Sequence, residues 1–173
     1  MQKGKMVATS RKSSQFYIAI ILVLAIITLS IGNYLRWWNL NFYVGPEYFH
    51  HWLVFTGAGY IALFTPMYSI MKRRSPQHFG TLLNTHVFGN LVAFLFISMH
   101  FTQQMGRPAQ FAPTLGTGLA LYIIVAIMVI TGFVQRFRLV GSFLRSWRFI
   151  HVSLSLSFYI VVIIHMLHNL GVI

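Results

Sequence analysis

His86 and His100, and again His151 and His165, stand fourteen residues apart, each pair inside an apolar stretch long enough to cross a membrane. An imidazole in such a stretch costs free energy, and its usual roles there are proton relay, interhelical hydrogen bonding and metal ligation. Fourteen residues of α-helix rise roughly 21 Å and turn about 1400°, roughly 40° short of four turns, so each pair shares one face. One helix thus presents one imidazole toward each side of a bilayer. Two such helices with their histidine faces opposed would hold two stacked haems, each iron taking one histidine from each helix. A proton relay does not require matched heights on two helices, which favours ligation. A zinc or dinuclear site is disfavoured, because the two levels lie roughly 20 Å apart and no carboxylate is at hand to complete it.

The rest of the chain must position these residues in lipid. It is 57 % hydrophobic and 8 % charged, with Glu47 as its single acidic residue, which excludes an ordinary soluble surface. Five apolar stretches approach the ~20 residues that span a bilayer, at roughly Phe16–Leu35, Trp52–Met71, Leu82–Phe101, Leu115–Val134 and Ile150–Ile173. The first is longer than the apolar core of a secretory signal and is expected to be a retained anchor. The expected fold is all-α, an integral membrane protein. A basic cytoplasmic N-terminus (1–15) precedes one five-helix domain (16–173), in which helices two to five form a haem-binding bundle and the first helix lies beside it.

The charges orient the helices. Of thirteen basic residues, Lys3, Lys5, Arg11, Lys12, Lys72, Arg73, Arg74, Arg136, Arg138, Arg145 and Arg148 fall on one side, and only Arg36 and Arg107 on the other. By the positive-inside rule the larger group is cytoplasmic, the C-terminus is outside, and the +12 net charge sets topology rather than binding nucleic acid. The setting expected is a cell (inner) membrane. Trp37, Trp38, Tyr43, Tyr48, Trp52 and Trp147 suit the interface. Helices three and five then run parallel, so His86 pairs with His151 on the inner level and His100 with His165 on the outer level.

Other residues carry lesser expectations. Gly118 and Gly132, again fourteen apart, and Gly89, one turn beyond His86, could let a flat macrocycle approach a helix backbone; small residues also serve simple helix packing. His168 competes with His165, but only His165 keeps the spacing of the third helix. His50, His51 and His78 are expected to be solvated interface residues, with a quinone or docking site as the sharper alternative. Arg148 inside and Arg107 outside are candidates to pair with haem propionates, or are ordinary topology charges. With no cysteine, thioether-linked haem and cysteine-ligated iron–sulfur clusters are excluded. The absence of a phosphate-binding glycine loop implies that any flavin or nicotinamide donor is a separate protein.

The segment Leu83-Asn84-Thr85-His86 through Met99-His100-Phe101, with Trp147-Arg148-Phe149-Ile150-His151 through Ile164-His165, resembles the dihaem membrane cytochromes b. Two branches are similar: the ferric reductase and NADPH oxidase transmembrane domain, toward which Trp-Arg-x-x-His leans, and the N-terminal bundle of bc-type cytochrome b, toward which the spaced glycines lean. The resemblance implies two b-type haems on bis-histidine iron, and membrane electron transfer with iron–sulfur, flavin or cytochrome partners. The chain departs from both branches, lacking a flavin and nicotinamide domain and the Pro-Glu-Trp-Tyr motif. Beside the electron-transfer subunit of an oxidoreductase complex stand two alternatives: a quinone-reactive subunit using His50, His51 or His78, and a haem-free structural subunit.

Overall fold

The computed structural model describes residues 2–111, 116–139, 144–169 and 171–172, with side chains of 1–13, 111, 144, 145 and 169 left aside. The expected boundaries at Leu115 and Ile173, and the side chains of Lys3, Lys5, Arg11, Lys12 and Arg145, lie outside the described residues. Five helices carry the fold: α1 (Gln2–Tyr34), α2 (Phe49–Arg74), α3 (Phe79–Met105), α4 (Thr117–Phe137) and α5 (Leu144–Asn169). Each contains a segment long and apolar enough to cross a membrane, where a helix satisfies every backbone polar group internally. This is the architecture of a multi-pass membrane protein. α5 starts six residues ahead of the expected Ile150. Arg145 and Arg148 end the apolar run but not the helix, since arginine is a good helix former.

α2 packs on α3, α3 on α4 and α4 on α5, while α1 lies against α3 from outside. A mid-height core joins Ile61, Ala93, Ile97, Val125, Met128 and Phe158 from the four bundle helices, and a second core joins Ala19 and Ile26 to Leu91. Polar ties hold α1 in place. Asn33, buried, donates to Met99 O at 2.7 Å and Thr102 Oγ1 at 3.0 Å, and Arg36 Nε donates to Gly106 O at 2.6 Å. At the opposite end Arg136 donates to Gln15 Oε1 at 2.6 Å and Asn84 Oδ1 at 2.7 Å. Arg36 and Arg136 are therefore built into helix contacts as well as contributing charge.

Two local features escape the hydropathy pattern. Between α1 and α2 the chain forms a hairpin of β1 (Tyr43–Val44) and β2 (Glu47–Tyr48), with Val44 opposite Glu47. Gly45, at φ +65°, takes the first central position of the two-residue turn, a conformation that favours glycine and that Pro46 can follow. Stacked Tyr43 and Tyr48 rings and the Trp52 Nε1–H bond to Val44 O, 2.7 Å, fasten the hairpin to α2. We refer to this as the hairpin end of the bundle, and to the end bearing Lys72, Arg73, Arg74, Arg136, Arg138 and Arg148 as the basic end.

The second feature is Pro66 inside α2. Proline has no N–H to give to the carbonyl four residues back, which is Ala62 O. Tyr159 of α5 donates its hydroxyl to that oxygen at 2.9 Å. Tyr159→Phe is expected to lower stability by roughly 1 kcal/mol, the scale of an interhelical hydrogen bond in membranes, read as a lower thermal midpoint in detergent. In a Pro66→Ala background, where the backbone bond returns, the same change should cost clearly less.

Candidate functional site

At the basic end His86 of α3 and His151 of α5 face each other across the bundle, ring centroids 6.4 Å apart and planes at 85°. Two imidazoles on opposite sides of one metal, each with a metal–nitrogen distance of about 2 Å, place their centroids roughly 6–6.5 Å apart. Both rings line a narrow cleft with Ile61, Thr65, Met128 and Gly132, holding about 30 Å³ of open space. A macrocycle enters only if these side chains turn aside. Tyr68 stacks on His86 at 4.4 Å, and the Asn90 amide lies 3.3 Å from His86 Nδ1.

The protonation of His151 is fixed by its neighbours. Its Nδ1 lies 3.0 Å from both Thr131 Oγ1 and Met128 O. The Thr131 hydroxyl gives its own hydrogen to Ile127 O at 2.8 Å or Met128 O at 3.0 Å, back along its helix. A carbonyl and a committed hydroxyl can only accept, so Nδ1 carries the proton and Nε2 keeps its lone pair. That is the tautomer a metal ligand requires, with the non-ligating nitrogen held by an acceptor.

The arrangement recurs fourteen residues away. Thr117 Oγ1 lies 2.9 Å from His165 Nδ1. A Cβ added to Gly132 would meet His151 Cε1 at 3.2 Å, and one added to Gly118 would meet His165 Cε1 at 3.4 Å. Moving fourteen residues back along α4 accompanies moving fourteen forward along antiparallel α5, so Thr-Gly faces His at both levels. The repeated Thr117-Gly118 and Thr131-Gly132 dipeptides are the signal by which the two threonines could have been found. The glycines sit against imidazole rings, so the close approach they permit is that of the histidines. At Gly89 the missing side chain makes room for the Tyr60 hydroxyl, which donates to Thr85 O at 2.7 Å, the packing use of a small residue.

At the hairpin end His50 and His51 gather on His100, with ring centroids 5.3 and 5.4 Å from it. One ligating nitrogen from each lies within 4.8 Å of the others. The expectation that His50 is solvated is corrected: it is fully buried, its Nδ1 3.3 Å from Leu40 O and its Nε2 3.2 Å from the Gln104 amide nitrogen. The fold-back that brings Leu40 over α2 is absent from any hydropathy profile. His51, partly buried, donates from Nδ1 to Glu47 Oε2 at 2.7 Å. A carboxylate is therefore in place where none was expected. His165 lies within electrostatic reach of His100.

The remaining expected residues fall as follows. His168 is exposed, while His165 is partly buried against α4. His78 is exposed, as expected. Arg148 is exposed one turn before His151, and Arg107 is partly buried within electrostatic reach of His50. The chain matches no family model, no curated protein and no solved structure.

Proposed function

We propose that this chain is a dihaem cytochrome b of the membrane, conducting single electrons between redox partners at its two ends. The observation that carries the reading is the facing pair His86–His151, 6.4 Å between centroids, with the α4 threonine that fixes the His151 tautomer repeated at the level of His165. His86 and His151 would hold one haem and His100 and His165 the other, roughly 21 Å apart by helix rise. When bound, bis-imidazole iron supplies one-electron oxidation and reduction with no open coordination position. The chain's own work is to hold four neutral imidazoles at two heights, to exclude water with the apolar core between the levels, and to offer Arg148 and Arg107 to carboxylates at the two ends.

The charge asymmetry supports a cytoplasmic basic end and an external hairpin end. The donor and acceptor expected at those ends are iron–sulfur, flavin or cytochrome in kind. The test is a reduced-minus-oxidised optical spectrum with haem quantitation on the protein purified from haem-replete cells. Two haems per chain with b-type bands are expected. A colourless protein would overturn the reading and leave a haem-free helical subunit.

A further inference from the structure

We infer that the hairpin end is also a mononuclear metal site, taking one divalent ion of the zinc, cobalt or copper class on His50, His51 and His100. The three residues come from two helices and converge beneath the hairpin, their ligating nitrogens already within 4.8 Å of one another. Metal–imidazole bonds of about 2.0–2.1 Å require nitrogens roughly 3.4 Å apart in tetrahedral geometry. Ring rotation about χ2 can supply that closure.

The surroundings distinguish this group from packed histidines. A metal-bound imidazole gives its second N–H to a carboxylate or backbone carbonyl. His51 gives its Nδ1–H to Glu47 at 2.7 Å, which leaves its Nε2 to ligate; His50 gives its own to Leu40 O at 3.3 Å, and its Nε2 would exchange the Gln104 amide, 3.2 Å away, for the metal. The third ring, His100, has a buried Nδ1 with no hydrogen-bond partner among the described residues. Glu47 is the only acidic side chain in the chain, and the hairpin sets it one helical turn from His51. Three neutral imidazoles beside one carboxylate suit a borderline divalent cation better than a hard one. They leave a fourth position open, and His51 and Glu47 are exposed enough to admit the ion.

The site shares His100 with the outer haem pair of the proposed function, but does not rest on it. The two occupancies exclude each other, so metal loading would be a switch that interrupts the wire at its hairpin end. Full-length His165→Ala, which leaves the three ligands intact while removing the competing haem ligand, is titrated with Co(II) and then Zn(II). Saturable uptake of one Co(II) per chain is expected, with ligand-field bands that Zn(II) abolishes. Adding His51→Ala or Glu47→Gln, both at partly exposed positions, should weaken binding, the latter by about 10–100-fold as for outer-shell partners. No saturable uptake, or uptake indifferent to both changes, would overturn the site. Haem counted in the same samples separates the two proposals: haem without Co(II) binding sinks only the metal site, and Co(II) binding without haem in wild type or variant sinks only the cytochrome.

Discussion

Alanine at His86 or at His151 is expected to lower the haem content from two per chain to one, and the double variant to do no more than either single change. Both residues would serve one iron, so the second removal has nothing left to remove, the strongly non-additive behaviour of groups that act as a unit. His100→Ala and His165→Ala should behave alike at the other level. Combining variants tests the pairing itself. His86→Ala with His165→Ala should abolish haem binding, whereas the pairing of antiparallel helices would leave one haem. Haem per chain, with the reduced spectrum as a check on the remaining site, gives the answer. Four single variants that all keep two haems would reject ligation by these histidines.

The five spans were legible because lipid imposes one rule, that a long apolar segment must be a helix, and hydropathy reads it directly. The alignment of His86 with His151 was legible for a related reason. Parallel α3 and α5 follow from counting spans, and fourteen residues nearly close four turns of helix. What hydropathy could not give is the hairpin, since Gly45-Pro46 fixes a turn without an apolar pattern, and the hairpin decides the environment of His50. A histidine at the mouth of an apolar run reads as interfacial, yet chain folded back from Leu40 buries it. Thr131 was hidden for another reason: its hydroxyl could as well have bonded only its own helix, and its use by His151 depends on the register of α4 against α5. Chemistry set by one helix is written in spacing; chemistry set between helices emerges only once they pack.

Thr131→Val is expected to weaken haem retention at the basic level, toward the lower end of the about 10–100-fold typical of outer-shell partners, and Thr131→Ser to restore it. Valine keeps the branched shape of threonine but not its hydroxyl, so the comparison isolates the hydrogen bond. With Thr131 Oγ1 gone, Met128 O remains 3.0 Å from His151 Nδ1, so the proton stays on Nδ1 and the ligating tautomer survives. What is lost is the second acceptor that fixes the ring's orientation. The predicted signature is therefore faster haem loss and a shifted midpoint potential in one of the two redox waves, with the other unmoved. Thr117→Val should shift the opposite wave. Equal movement of both waves would mean that the threonines act through general packing, and identical behaviour of Val and Ser would mean the hydroxyl does not orient the ring. A level-specific shift would mean that α4, which supplies neither of the proposed α5 ligands, sets the angle of those imidazoles through two threonines fourteen residues apart.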